Sequence, residues 1–128
     1  MAANNYHTLF LLNDGTVKSC GYNAYGQIGL GNTSKTIPTL IPGLNNVKQI
    51  ASGVYHSLFL LNSGVVMGCG VNNKYQLGLN DTTNRTSPTT ITNLPTISLL
   101  MDNDIIAPTL YKKQDGSVYG KIWDYRKL

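Results

Sequence analysis

Two stretches of the chain are close copies of each other. Residues 6–31 read YHTLFLLNDGTVKSCGYNAYGQIGLG, and residues 55–80 read YHSLFLLNSGVVMGCGVNNKYQLGLN. At this offset of 49 residues, seventeen of the 36 positions in residues 1–36 recur with the same amino acid. Self-similarity at a fixed period of this length is the signature of a repeat architecture. The chain is therefore predicted to consist of tandem units.

Each unit predicts four short antiparallel strands. In the second copy we predict strands at Val47–Ser52, Tyr55–Leu61 and Val65–Val71, and a short one around Pro88–Ile91. The second of these is almost continuously apolar, which is typical of a strand covered on both faces. The segment Asn62-Ser63-Gly64 predicts the hairpin turn after it. Four such strands repeated in tandem predict an all-β fold, a partial β-propeller of about 2.5 blades.

The composition agrees with strands and tight turns. The chain has 13 glycines, 14 asparagines and 13 threonines but no glutamate, and these residues favour turns and strands over long helices. Its net charge is +4, and the basic residues of the first 96 positions are scattered singly. Because nucleic-acid binding needs clustered Lys and Arg, we predict no nucleic-acid partner.

Three units are predicted along the chain. Residues 1–46 form a first repeat that lacks most of its first strand, and residues 47–96 form the second. Residues 97–128 form a degenerate third repeat and a C-terminal tail, since Asp115–Tyr119 resembles Asp14–Lys18. No run of 18 or more apolar residues predicts a membrane span, and the N-terminus has no signal-peptide pattern.

These motifs closely resemble the regulator-of-chromosome-condensation repeat. The matching blocks are His7-Thr8-Leu9, Asp14-Gly15-Thr16-Val17 and the run Cys20–Gly31. The resemblance implies a β-propeller that closes with seven blades. It also implies the family's eukaryotic role, nucleotide exchange on a small GTPase with chromatin docking.

The chain departs from the family pattern at several positions. Cys20 and Cys69 stand where the family usually has tryptophan. Tyr75 and Asn80 replace glycines of the motif, and the asparagine is the milder change because it tolerates the left-handed conformation. The local turn at Tyr75 is the one that the departure affects most.

Residues that recur in both copies are predicted to serve the blades rather than to carry chemistry. We expect the histidine rings to hold turns between strands by hydrogen bonding, and each cysteine to act as a small buried apolar residue. Packed sheets lie about 10 Å apart, whereas a disulfide needs Cα atoms within about 7 Å, so no Cys20–Cys69 bridge is expected. The structural repeat positions are His7, His56, Gly15, Gly64, Cys20, Cys69, Gly21, Gly70, Asn23, Asn72, Gln27, Gln76, Gly29 and Gly78.

No catalytic, cofactor or metal site is predicted. Asp102 and Asp104 faintly resemble a calcium loop but lack its glycine and distal glutamate. The glycine-rich segment Gly26–Gly31 does not precede a helix, which a phosphate cradle needs. We therefore expect a protein that is not an enzyme and that binds no cofactor.

The aromatic tail has two interpretations. Its aromatic residues are either the core of a third blade with a frayed end, or a docking segment, since Trp and Tyr are favoured interface anchors. The candidate interface residues are Tyr111, Tyr119, Trp123 and Tyr125.

An arc of about 2.5 blades leaves apolar faces and strand edges uncovered. Either copies of the chain assemble, with a trimer supplying six to seven blades, or the arc docks on a larger partner. We therefore predict a non-enzymatic structural and protein-interaction module of a multi-subunit assembly. Its Asn-, Thr- and Gly-rich repeats resemble those of phage tail fibres and related virion proteins, which implies a virion component, either of a tail fibre or of the particle's decoration. The alternatives are a propeller fragment acting in small-GTPase exchange and chromatin docking, or a glycan- or receptor-binding module.

Overall fold

The computed structural model describes eleven β-strands in three antiparallel sheets, with no helix in the described part of the chain. Within the same residues, no helix is long and apolar enough to cross a membrane. The described residues are 2–3, 6–31, 33–53, 55–73, 77, 79, 81–91, 97–100, 110–113 and 118–120.

In every sheet, strands that follow one another in the chain lie side by side. The first sheet contains β1 (Ala2–Ala3), β2 (His7–Leu11), β3 (Val17–Gly21) and β4 (Lys35–Leu40). The second contains β5 (Val47–Ser52), β6 (His56–Leu61), β7 (Val66–Gly70) and β8 (Arg85–Thr90). The third contains β9 (Ile97–Leu100), β10 (Leu110–Lys113) and β11 (Val118–Gly120).

This architecture confirms the predicted all-β partial propeller. The two complete sheets are four-stranded blades, and the third has three strands within the described residues. Each sheet lies inside one of the three units predicted from the repeat, although the division at residues 46 and 96 stays a prediction.

The fourth strand of the second blade differs from its prediction. It begins at Arg85 instead of Pro88, because a register shift between Gly68 and Gly70 lets Arg85 pair with Gly70. Pro88 is tolerated because β8 is an edge strand, where a missing N–H leaves no ladder bond unmade.

The sheets pack on each other through side chains of alternating direction. Strand β6 is buried along its length except at Leu61, as predicted for a strand covered on both faces. Phe59 belongs to the cluster shared with the first sheet, and Leu58 and Leu60 belong to a cluster on the opposite side. Strand β5 contacts β1 and β2, and β9 contacts β5 and β6. The three sheets therefore follow one another as neighbouring blades.

One face of the first sheet is less buried than the equivalent face of the second sheet. Phe59 is fully buried, whereas the equivalent Phe10 is half-buried. Cys69 is likewise buried and Cys20 half-buried. Phe10 is paired across the sheet with Lys18, and Thr8 with Cys20, so these side chains share one face. We call this surface, formed by Thr8, Phe10, Lys18 and Cys20, the outer face.

Candidate functional site at the junction of the first two sheets

The junction between the first two sheets is held by a buried chain of hydrogen bonds. The Ser57 hydroxyl donates to the carbonyl oxygen of Gln27 at 2.5 Å, and the same hydroxyl oxygen lies 2.9 Å from Nε2 of His7. A hydroxyl has one hydrogen to donate, so His7 Nε2 is the donor to Ser57. Nε2 of His7 therefore carries a hydrogen.

This histidine bond joins two blades, since it runs from β2 of the first sheet to β6 of the next. The role predicted for the histidine rings, holding turns between strands, stays a prediction. Cys69 reaches the same Gln27 carbonyl oxygen with its thiol, at 3.5 Å. Gln27 thus supplies one backbone acceptor to two side chains of the following blade.

A glycine-rich loop of the first unit packs directly on β8 of the second. The backbone N–H of Gly31 donates to the Thr86 carbonyl oxygen at 3.0 Å. A Cβ atom on Gly26 would collide with the carbonyl oxygen of Arg85 and would lie 2.5 Å from Cα of Thr86. Gly26 also has a φ of 85°, which L side chains rarely adopt. Backbone therefore packs against backbone here, with no room for a side chain.

Asn23 fixes the shape of that loop from inside. Its side chain is fully buried and its Nδ2 donates to the carbonyl oxygens of Gly31 and Thr33, at 2.8 and 3.0 Å. Its Oδ1 accepts from the backbone N–H of Ile28 at 3.1 Å. One side chain thus satisfies three backbone groups of the loop.

Asn72 repeats this arrangement in the second unit. Its Oδ1 accepts from the Leu77 N–H at 3.0 Å, and its Nδ2 donates to the carbonyl oxygens of Asp81 and Thr83 at 2.9 and 3.1 Å. Asp81 also forms a 2.9 Å ion pair with Arg85, and the hydrogen bond from Arg85 is the main reason that the pKa of Asp81 is lowered. The same loop design therefore occurs in both units.

The remaining repeat positions lie where the chain turns or crosses the junction. Gly15 and Gly64 have positive φ in equivalent hairpins, and Gly21 and Gly70 pair with His7 and His56. Gly29 faces Pro88, with its Cβ position 3.2 Å from the proline ring. Cys20 and Cys69 are free thiols, and burial raises the pKa of Cys69.

Other predicted residues fall outside the described part of the chain. Gln76, Gly78, Asp102, Asp104, Trp123 and Tyr125 are among them. Tyr111 lies in β10 and Tyr119 in β11, where they are cross-strand partners. In the described residues no group of three His, Cys, Asp or Glu side chains is arranged to hold a metal ion.

His56 is a buried titratable group of this region. Its ring lies over Gly53, where an added Cβ would overlap it, and its Nε2 has no hydrogen-bond partner within the described residues. Burial and, to a smaller extent, repulsion from His7 together lower the pKa of His56 to about 4. The ring is therefore neutral near pH 7.

We predict that acidification from pH 6.5 to 4 destabilises the chain. An unfolded histidine has a pKa of about 6.5, so within this interval the unfolded state binds a proton that folded His56 does not. The stabilisation that neutral His56 contributes is fully present above about pH 6.5. As the pH approaches 4, the free energy of unfolding falls by up to about 3 kcal/mol. Urea denaturation at several pH values measures this slope.

His56→Gln is the control for that assignment. Its stability should change much less between pH 6.5 and 4 than that of the native chain. Asp14 and Asp81 have pKa values lowered from 3.8, so their contribution is lost at more acidic pH and does not obscure this window. Equal slopes for the native chain and the variant would show that another group is responsible.

A cluster of four tyrosines lies at the same junction and was missed in the sequence analysis. Tyr55 and Tyr22 form its centre, with ring centroids 6.3 Å apart. Tyr6 lies 5.2 Å from Tyr55, and Tyr25 lies 5.1 Å from Tyr55. The available signal was the tyrosine before the histidine in both repeats, at positions 6 and 55.

The chain matches the Regulator of chromosome condensation (RCC1) repeat over residues 14–60 and 63–100, and a second RCC1 repeat profile over residues 47–76. A search of curated proteins gives no match.

Solved structures share the fold. Human WBSCR16 is 28% identical with a TM-score of 0.77, and the match covers 90% of this chain and 31% of that one. Prp20p from Saccharomyces cerevisiae is 23% identical with a TM-score of 0.77, covering 92% and 31%. Yeast RCC1 (Prp20) bound to Kap60 is 28% identical with a TM-score of 0.74, covering 93% and 28%. The chain spans about a third of the length of these proteins. The matched repeats and the blade architecture together show that the chain belongs to the RCC1 repeat family.

Proposed function

We propose that this chain is a protein-binding arc of a β-propeller, and that it binds a partner through the outer face of its first sheet. The partner supplies the surface of a neighbouring blade, either from a second copy of the chain or from another propeller segment. Prp20p has binding properties to Gsp1p and histones, and yeast RCC1 is bound to Kap60 in its structure. Protein partners in the family support the class of partner that we propose.

The observation that carries the proposal is the unequal burial of equivalent positions. On the second sheet, the side chains that pack against the first blade are buried, namely Ser57, Phe59 and Cys69. On the first sheet, Phe10 and Cys20 occupy the same repeat positions as Phe59 and Cys69, and part of their surface is exposed. Thr8 offers a hydroxyl where Ser57 holds the Gln27 carbonyl group. The outer face thus presents the receiving half of a junction that the chain already forms once.

We expect thiol labelling to distinguish the two cysteines and to report on this surface. Cys20 should react with an alkylating reagent in the dilute chain, whereas Cys69 should be protected because it is buried and its pKa is raised. As concentration rises, light scattering should show masses above 13.9 kDa, and the alkylation of Cys20 should slow in parallel. Mass spectrometry after alkylation assigns the label to each cysteine.

Phe10→Asp tests the same surface, because a carboxylate on the outer face opposes burial there. At concentrations where the native chain associates, the variant should keep the monomer mass of 13.9 kDa and stay folded. Val65→Asp, at an exposed apolar position in the β6–β7 hairpin, is the matched control and should leave association unchanged. A constant monomer mass at all concentrations, with Cys20 equally reactive throughout, would show that copies of the chain do not use this face for each other.

A second candidate function is nucleotide exchange on a small GTPase with chromatin docking. The family match favours it over the virion role, for which the matched repeats and the similar structures provide no support. The direct measurement is release of a fluorescent guanine nucleotide from a small GTPase with and without the chain. Acceleration that Phe10→Asp leaves intact would place exchange on another surface.

Two finer interpretations remain predictions. The trimer and the glycan- or receptor-binding module are not tested by the fold or by the family match. Light scattering measures the number of copies directly, and a glycan screen tests the second interpretation.

A further inference from the structure

The tyrosine patch is an exposed aromatic surface at the first junction, formed by Tyr6, Tyr22, Tyr25 and Tyr55. Tyr6 is 46% exposed, Tyr22 43% and Tyr25 36%. Because these three exposed rings are adjacent, they form one continuous aromatic surface and are not isolated exposed side chains. Such surfaces mark interaction sites, and tyrosine is among the residues that dominate protein interfaces.

We propose that the tyrosine patch binds a proline-rich segment of a protein partner, in the extended polyproline II conformation. This inference rests on the proposed function, since it takes the partner to be a protein, and it identifies a second surface and the chemistry of the segment that occupies it.

The angles between the tyrosine rings favour a proline-rich segment as the ligand of the patch. Neighbouring ring planes are inclined by 33° to 72°, so the rings form ridges rather than one flat platform. The C–H face of a sugar ring or a planar guanidinium group stacks best on a flat aromatic face. Proline rings of a polyproline II helix dock between aromatic side chains in grooves, and the rigid helix loses little entropy when it binds.

The hydroxyl groups of the patch fit the backbone of such a segment. A polyproline II helix has no internal hydrogen bonds, so its carbonyl oxygens need donors from outside, and a phenol supplies one. The hydrogen bond with Tyr6 raises the pKa of Tyr55, and the other phenols of the patch act in the same direction. A phenol whose pKa is raised by a hydrogen bond is the donor in that bond, so Tyr55 gives its one hydrogen to Tyr6. The donors to the segment would then be the phenols of Tyr22 and Tyr25.

The charges of the chain disfavour a basic occupant. The four patch residues are uncharged at neutral pH, and the chain as a whole carries +4. A segment rich in arginine or lysine would be repelled at long range. A proline-rich segment carries no charge of its own and meets no such barrier.

The patch occurs at one junction only within the repeat pattern. Tyr22 and Tyr25 correspond to Val71 and Lys74 in the second unit, although Tyr6 and Tyr55 correspond to each other. The second unit thus lacks two of the four rings and has a positive charge in the place of one. We therefore expect one proline-rich segment to bind per chain.

The test is a titration of the full chain with a short polyproline peptide, followed by tyrosine fluorescence and by amide NMR shifts. We expect saturable binding with one site per chain and shifts confined to the patch. Tyr22→Ala should weaken the binding by about tenfold or more, and Tyr22→Phe should weaken it less because the ring remains. Ile37→Ala removes an apolar side chain that is 70% exposed outside the patch and should leave the affinity unchanged.

The binding of polyproline is compared with that of three other ligands. A glycine–serine peptide of equal length tests for non-specific backbone binding, an arginine-rich peptide tests cation–π contacts, and a soluble oligosaccharide tests stacking of sugars. Tighter binding of any of them than of polyproline, or equal polyproline affinity of the native chain and the Tyr22→Ala variant, would overturn the proposal.

Because Phe10 lies on the outer face, Phe10→Asp should retain polyproline binding while it loses association. If the native chain binds polyproline but does not associate, only the proposed function fails. If the native chain associates but does not bind polyproline, only this inference fails.

Discussion

Phe59→Ala is expected to lower the free energy of unfolding by about 3–5 kcal/mol, the usual cost of truncating a buried phenylalanine. Phe59 is fully buried in the cluster between the first two sheets, together with Leu9 and Val47. Its removal deletes apolar contacts with both blades and leaves a cavity that a packed sheet cannot close completely. Chemical denaturation followed by circular dichroism measures the change.

Phe10→Ala is the matched control, because the same residue type stands at the equivalent repeat position of the first sheet. Its half-buried side chain should cost about 1 kcal/mol when truncated, since the transfer contribution scales with buried apolar area. Equal losses for the two variants would mean that the outer face is covered in solution as completely as the junction. A higher protein concentration would then raise the cost of Phe10→Ala, because association buries this residue.

Gly26→Ala is expected to destabilise the chain by about 4 kcal/mol or more, the range of the most severe single substitutions. Two costs add at this position. The positive φ of 85° strains any L residue by about 1–2 kcal/mol, and the new Cβ collides with the backbone of Arg85 and Thr86 in the next sheet. Because that neighbour is backbone, the junction has to open for the methyl group to fit.

Gly31→Ala separates these two costs. Gly31 has a φ of 82°, but no atom lies within 4 Å of its Cβ position. Its substitution should therefore cost only the strain of about 1–2 kcal/mol. Thermal denaturation of both variants gives the comparison, and if Gly26→Ala were no worse than Gly31→Ala, the close approach of the loop to β8 would be disproved.

The sequence predicted what each repeat determines locally. The apolar run at Tyr55–Leu61, the hairpin glycines and the fourth strand of the blade all follow from patterns within about fifty residues, and the structure places strands there. The extent of β8 was predicted less well, because its first residue depends on a register shift in the neighbouring strand.

Contacts between blades could not be predicted in the same way. The bond from His7 to Ser57 joins residues fifty positions apart, and no local pattern states which partner a buried histidine finds. The tyrosine patch has the same origin, since Tyr6, Tyr22, Tyr25 and Tyr55 meet only once two sheets are packed together. A repeat alignment emphasises positions that recur, and Tyr22 and Tyr25 do not.

The substitution at Tyr75 acquires a physical meaning from the first junction. Tyr75 is the repeat equivalent of Gly26, where even a single added carbon meets the backbone of the next sheet. A tyrosine could not stand in that place against a strand positioned as β8 is. At the first junction, a side chain at position 26 would therefore force the loop away from β8.

The bonds at the first junction run in one direction. The first blade offers the carbonyl group of Gln27, and the second blade holds it with Ser57 and Cys69, so the two surfaces that meet are different. An interface between unlike surfaces is heterologous, and copies joined through it form rings when the rotation closes and open filaments when it does not. An assembly built by repeating this junction would therefore have a head and a tail, and would not be a two-fold symmetric dimer.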